Sequence, residues 1–346
     1  MESAMMIDMH AHWRPAEVTD ALRARTKEPR IAREPSGAEV LRTRMGEEPL
    51  ATAFDDVDAH LARMDRQNVQ TSVLSVVGSF CWIESQPLEV SGPLCRRVND
   101  RFSEICTQHP GRFAAFAALP LTDLTAAAAE LDRVMALPGM IGAQLPGNYF
   151  LTRKDAEAAR PLLEAANRHH AMLFIHHGPR PGDAFPKFSG EADNARRRNG
   201  TLDMQASLSS VMVTLCLTDL LAPYPNVTFQ VHNLGGNIPY EVERMDHRSL
   251  LDTPAEELPS ARFRKSKVFV DCNSFGPHAI EAAVRLYGAD HIVCGTDGTE
   301  FGVDWTRDAL AKADIGPEAR EQILHRNAAG LIARVRADFP AARQAA

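Results

Sequence analysis

Along this chain, short runs of nearly unbroken apolar residues alternate with longer stretches in which apolar positions recur every three or four residues. The short runs fall at 5–9, 71–77, 113–119, 141–145, 171–175, 227–231, 268–270 and 292–294. Near-continuous apolar character marks strands covered on both faces, as in a parallel sheet, rather than half-exposed antiparallel ones. The longer stretches, at 57–67, 92–109, 124–137, 154–169, 208–222, 278–287 and 317–333, carry helical spacing. Asp123 and Thr152 stand just ahead of two of them, where a side-chain oxygen can cap free backbone N–H groups. Eight strands alternating with helices predict a single α/β domain over residues 1–346, a (β/α)8 TIM barrel. A doubly wound open sheet is the alternative, but no G-x-G-x-x-G follows the first strand. Two segments, 19–54 and 179–207, break the alternation. Both are rich in Pro, Gly and charge and both follow a strand end. They are read as loop insertions over the C-terminal mouth, with disorder as the other reading.

Composition narrows the function more than the fold. With 346 residues, 45% hydrophobic and 24% charged, the chain is ordinary for a globular protein and excludes whole-chain disorder or coiled coil. Its 38 Lys+Arg against 45 Asp+Glu give a formal charge of −7, which argues against a nucleic-acid partner. No apolar run approaches the ~18 residues of a membrane span, and the N-terminus lacks the basic and apolar regions of a secretory signal. Cys81, Cys95, Cys106, Cys216, Cys272 and Cys294 are scattered, with no C-x-x-C pair. Reduced thiols and a cytoplasmic location are expected.

Barrel chemistry collects at the C-terminal ends of the strands, so the polar residues there carry the functional signal. Strand one runs into His10-Ala11-His12, whose i, i+2 spacing on an extended segment puts both imidazoles on one side. Strand five ends in His176-His177, strand six in His232-Asn233-Leu234-Gly235-Gly236, and strand eight in Gly295-Thr296-Asp297. Each feature alone is weak: a lone strand-end histidine is usually structural, and Asp297 alone could cap a helix. Together, three imidazoles and a carboxylate around one mouth make a donor set suited to Zn²⁺ or a similar divalent ion. His232 stands beside them, placed for proton transfer.

These residues resemble a known family. Ile7-Asp8-Met9-His10-Ala11-His12 is similar to the opening of the amidohydrolase superfamily. Gly111-Arg112-Phe113 through Leu119-Pro120-Leu121, Leu173-Phe174-Ile175-His176 and Gly295-Thr296-Asp297 resemble its branch typified by 2-amino-3-carboxymuconate-6-semialdehyde decarboxylase. The likeness runs from Ile7 to about Leu331, with Asn327-Ala328-Ala329 similar to the family's last helix. It implies one zinc per chain, held by His10, His12, His176 and Asp297, and a strand-six histidine that assists metal-activated water without being a ligand. Other branches bridge two metals with a carboxylated lysine, and no lysine ends strand four (Ile141-Gly142-Ala143-Gln144-Leu145).

The chain departs from the branch in two places. Its strand-six motif has one residue more before the glycines, so that counting back from Pro239 puts Asn233 at the histidine position. Since a one-residue shift turns a side chain to the other face, either His232 keeps the catalytic place or another group, His177 foremost, substitutes. After the aspartate, Gly298-Thr299-Glu300-Phe301 replaces the usual aromatic and proline, which points to different substrate contacts. Arg244 falls where the resemblance implies an arginine that binds substrate carboxylate in the neighbouring subunit of a homodimer. The other reading is an ion pair with Glu241 or Asp246. Arg42 and Arg44 are candidates for a second anion contact. The expected activity is non-oxidative decarboxylation of a small unsaturated or aromatic acid, with His232 and Asp297 catalytic and Arg244, Asn233 and His177 near the substrate. The same ligands would serve a hydrolase of a cyclic amide, a lactone or a C–C bond, and a non-catalytic small-acid or metal-binding barrel is the alternative from another class.

Overall fold

In a computed structural model, residues 5–43, 46–50, 55–76, 83–184, 194 and 197–340 are described. All eight expected strands form: β1 (Met6–Trp13), β2 (Val69–Val76), β3 (Phe113–Ala117), β4 (Met140–Pro146), β5 (Met172–His176), β6 (Thr228–Val231), β7 (Val268–Asp271) and β8 (Ile292–Val293). They pair in that order in one parallel sheet. The chain following β8 closes it onto β1, with Met9 N–H donating to the Cys294 carbonyl at 2.9 Å and Thr296 N–H to His10 at 3.3 Å. The result is the (β/α)8 barrel.

Its lumen is a packed core. Ile7, Met9, Val73, Ala114, Phe116, Ile141, Met172, Phe174 and Val293 form one buried cluster, which Ala328, Leu331 and Ile332 of the helix Asn327–Val335 join. Residues such as Ile7 and Phe269 lie early in their strands, so that helix seals the end opposite the histidines. A second, larger cluster fills the layer between strands and outer helices.

The caps read from sequence are present. Asp123 accepts from the backbone N–H of Thr125 and Ala126, and Thr152 from that of Asp155. The helix expected over 154–169 is two, Arg153–Ala158 and Arg160–His169. Pro161 sits in the first turn of the second, where its missing N–H is harmless; a continuous helix would have set its ring against a carbonyl. The segment 19–54 contains part of a helix, Ala16–Ala24, and an antiparallel sheet of Arg30–Arg33, Glu39–Thr43 and Gly46–Pro49. Further helices at Ile238–Asp252, Pro259–Lys265 and Glu300–Lys312 add to the expected set.

Candidate metal centre at the barrel mouth

The ladder between β1 and β2 positions the first two candidate ligands. Asp8 pairs with Ser72 but Ala11 with Leu74, so β1 carries one residue more than its partner, a bulge. Beyond it His12 pairs with Ser75, and their side chains meet, Nδ1 of His12 on the Ser75 hydroxyl at 2.9 Å. That hydroxyl donates to the Ala11 carbonyl at 3.3 Å, so it accepts from His12. Nδ1 of His10 faces Oδ2 of Asp271 at 3.2 Å, and Nδ1 of His176, at the end of β5, faces the His177 carbonyl at 3.0 Å. All three rings are thus fixed through Nδ1, leaving each Nε2 as the atom available to a metal.

Those nitrogens converge. Nε2 of His10 lies 3.3 Å from Nε2 of His12, and Oδ1 of Asp297 lies 3.4 Å from the first and 3.1 Å from the second. One ligand atom from each of His10, His12, His176 and Asp297 falls within a 4.8 Å span. Lone pairs this close repel unless a cation or shared protons stand between them. Ligands at ~2.0–2.1 Å from a zinc-like ion would be about 3.0–3.4 Å apart, the spacing of the first three. Anchoring each ligand histidine through its other nitrogen is also the usual second layer of a metal site. The residues present fit a divalent ion.

The charges tell the same story. Burial alone would lower the His10 pKa, but Asp271 and then Asp297 hold it up at about 10. Burial works to raise Asp297, yet the bonds from His10 and His12 keep it well below the usual carboxylate range. Its side chain is half exposed, at 51%. His176 and His232 are pushed well below the ordinary histidine value by burial and then by neighbouring imidazoles, so both are neutral at pH 7.

His232, and not Asn233, joins this group. It follows β6 in extended conformation, is 3% exposed, and stacks on His176 with ring centroids 4.4 Å apart. Its Nε2 accepts the His177 backbone N–H at 2.9 Å. The single proton of the neutral ring therefore sits on Nδ1, which has no hydrogen-bond partner among the described residues. The extra residue is absorbed just after it: Asn233, Leu234, Gly235 and Gly236 all have positive φ (53°, 53°, 68° and 81°). This left-handed turn reverses the chain without disturbing His232. It turns Asn233 towards β7, its N–H on Asp271 and its side-chain oxygen accepting from Asn273 at 3.3 Å.

Asp297 is also left-handed, with φ 63°, and its loop is pinned on both sides. The Thr296 hydroxyl donates to Asp8 and accepts the Gly298 N–H, and buried Arg63 donates to the Gly298 carbonyl at 2.8 Å. Burial, eased by those bonds, holds Asp8 at about 7.

Other candidates lie elsewhere or act differently. The His177 ring is half-buried with Nδ1 unpartnered among the described residues, while its backbone clamps His176 and His232. Arg244 is exposed on the helix Ile238–Asp252 and pairs with neither Glu241 nor Asp246. Arg42 is no free anion contact: it sits opposite Glu47 in the antiparallel sheet and is ion-paired with Glu47 and Glu34. Arg44 lies outside the described residues. Five cysteines, Cys95, Cys106, Cys216, Cys272 and Cys294, are buried free thiols; Cys81 lies outside the described residues. Sequence reading passed over Asp271, Ser75 and Arg63. Asp271 had a signal, a carboxylate ending the run Val268-Phe269-Val270; a serine in a strand and an arginine in a helix had none.

Comparison with known proteins places the same barrel in a known family. The family model described as Amidohydrolase matches residues 7–333. Gamma-resorcylate decarboxylase of Rhizobium radiobacter is 26% identical over 290 residues, 80% of this chain and 86% of that protein. The 2-amino-3-carboxymuconate-6-semialdehyde decarboxylase of Dictyostelium discoideum is 23% identical over 246 residues, covering 70% and 66%. Among solved structures, Metarhizium anisopliae IDCase in apo form superposes with a TM-score of 0.79 at 18% identity, over 95% and 97% of the two chains. A dihydroxybenzoic acid decarboxylase from Polaromonas sp. JS666, with bound manganese and the inhibitor 2-nitroresorcinol, does so at 0.67 and 20% identity, over 95% and 96%.

Proposed function

The chain belongs to the amidohydrolase family, and from that premise we propose that it is a metal-dependent, non-oxidative decarboxylase of a small aromatic or unsaturated carboxylic acid. One observation carries the reading: a complete three-histidine, one-aspartate donor group lies in a chain whose curated relatives are decarboxylases. His10, His12 and His176 through Nε2, with Asp297 through Oδ1, would hold one divalent ion, zinc by donor chemistry, with manganese, present in a related structure, as the rival. Bound there, such an ion supplies a Lewis acid that polarises substrate oxygens.

The chain's own residues supply the rest. His232, neutral with its proton on Nδ1, presents a hydrogen-bond donor beside the donor group. Base action at Nε2 would first require release of the His177 N–H, so we assign His232 to orienting a substrate or water oxygen. Loss of carbon dioxide leaves an electron pair on the substrate carbon, which must take up a proton. We assign that transfer to Asp297, whose half-exposed carboxylate is ionised before the reaction and can carry a proton from solvent.

Attraction of an anionic substrate needs a further charge. A divalent ion with Asp297 and neutral imidazoles is formally about +1, and the Asp271 carboxylate behind His10 brings the sum to about zero. An arginine fork is the natural supplement. We propose that it is Arg244, uncommitted on an exposed helix face, reaching the site of a second copy in a homodimer. Buried free thiols fit a reducing, cytoplasmic setting, and among the described residues no helix is long and apolar enough to cross a membrane.

The test is carbon dioxide release from a panel of hydroxybenzoic and muconate-type acids by zinc- or manganese-loaded protein. Release from at least one acid, lost together with the metal in His12→Ala, is expected. Turnover of cyclic amides or lactones without carbon dioxide would replace the reading with a hydrolase. Metal binding with no turnover of either class would leave only a binding barrel.

A further inference from the structure

We infer that Asp271 is the positioning residue of the centre: one carboxylate sets the tautomer of His10 and also ties down the turn that follows His232. The inference rests on the metal reading above. Asp271 ends β7, is 0% exposed, and takes three N–H donors and one histidine nitrogen from separate places. Oδ2 takes His10 Nδ1 and Gln230 Nε2, each at 3.2 Å. Oδ1 takes the backbone N–H of Asn233 at 3.1 Å and of Asn273 at 3.2 Å. With three fixed N–H donors shared over its two oxygens, the side chain acts as an acceptor, and His10 Nδ1 completes the set as a donor.

Two consequences follow from the division of donors. On the Oδ2 side, a carboxylate makes Nδ1 of His10 a protonated nitrogen, so Nε2 is the atom left for a metal, towards His12 and Asp297. At Nδ1, His12 and His176 lean on a hydroxyl and a carbonyl instead, so among the three rings His10 alone has a carboxylate behind it. On the Oδ1 side, the N–H held is that of Asn233, the first left-handed residue after His232. The Asn273 side chain reinforces the same turn by donating to Asn233. Histidine ligand and histidine donor are thus referred to one fixed point.

Asp271→Asn separates the two roles. The Oδ1 donors are backbone and cannot change, so the amide oxygen must stay with them and the NH2 must replace Oδ2. It then faces both the Gln230 amide and Nδ1–H of His10, donor against donor; the Gln230 amide can turn its unpartnered oxygen inward, but His10 is relieved only by a proton shift to Nε2, the metal-facing atom. The turn survives while the ligand is spoiled.

The experiment is Zn²⁺ affinity by chelator competition for the parent, Asp271→Asn and Asn273→Ala, with histidine-labelled NMR of the zinc-loaded parent. Asp271→Asn should bind Zn²⁺ about 10- to 100-fold more weakly. Asn273→Ala keeps every bond to Asp271 and should stay within about threefold, a contrast that a general loss of packing would not give. The loaded parent should show a downfield, slowly exchanging His10 Nδ1–H. Equal affinity of folded Asp271→Asn and parent, or absence of that resonance, would overturn the inference alone. A parent that binds no Zn²⁺ or Mn²⁺ would overturn the metal reading and this inference with it.

Discussion

Replacing Gly236 by alanine tests whether the left-handed turn holds His232 in place. Gly236 has φ 81° and ψ −140°, a region essentially reserved for glycine. A methyl group there would lie 2.3 Å from the Gln205 carbonyl oxygen and 2.6 Å from both N and Oγ of Ser209. The helix Met204–Cys216 that carries those atoms is packed into the core through Leu208, Val211 and Met212, so the turn must move instead. Backbone strain costs about 1–3 kcal/mol. Lifting the turn also breaks the 2.8 Å bond from Asn237 N–H to Ser209 Oγ, about 1 kcal/mol more. At roughly 2.1 cal/mol/K per residue, the 346-residue chain unfolds with about 0.7 kcal/mol/K, so a loss of ~3 kcal/mol lowers Tm by about 4 °C. Gly330→Ala is the control: inside the helix Asn327–Val335, its new Cβ has no atom within 4 Å. There the same substitution should stabilise by about 0.5–1 kcal/mol and raise Tm by ~1 °C. Thermal melts, zinc content and turnover on one decarboxylated acid would be measured for both. Gly236→Ala should keep its metal and lose turnover. A Tm within ~1 °C of the parent with unchanged kcat would show that the turn neither carries strain nor places His232.

Three further outcomes are expected. His232→Ala should retain its metal and, losing one positioned hydrogen-bond donor, fall about a hundredfold or more in kcat, and loss of metal would make it a ligand instead. Glu84 is 3% exposed and held at about 7 by burial, above its ordinary 4.5, so its contribution favours folding at low pH and fades as pH rises from 4.5 to 7. Glu84→Gln should therefore match the parent near pH 4 in urea unfolding yet exceed it by roughly 3 kcal/mol at pH 8, and a constant difference would refute the assignment. Arg244→Lys should raise KM for the acid several-fold with metal content unchanged; a fully active monomer would exclude the shared site.

What the sequence disclosed follows from where its residues are buried. The strands were legible because barrel strands are covered on both faces and leave near-continuous apolar runs. The helix Ile238–Asp252 was invisible for the opposite reason: it buries only Ile238 and Val242, so no apolar stripe repeats along it. The strands within 19–54 are four or five residues long, with Ile31, Ala32 and Val40 alone buried among their described side chains, too short for a period to register. In the centre, the four converging side chains were readable because they stand at strand ends in recognisable types. Asp271 was not, because nothing in a lone aspartate says that its partner is His10, two hundred and sixty-one positions earlier. The strand-six ambiguity between His232 and Asn233 likewise had no sequence solution, since it is decided by backbone handedness after the histidine.

The barrel closes where its first strand meets its last, and the centre is built across that seam. Asp8 and Thr296, which clasp it, are 288 residues apart, and His10 and Asp297 face each other over the same gap. During synthesis, at ~5–20 residues per second, the two leading histidines therefore wait for tens of seconds before their carboxylate partner exists. Until then an incomplete chain offers an incipient ion only scattered imidazoles. Tight capture of a divalent ion at this group would consequently be a property of the finished fold alone, and metal occupancy of a preparation would count the molecules in which that seam has closed.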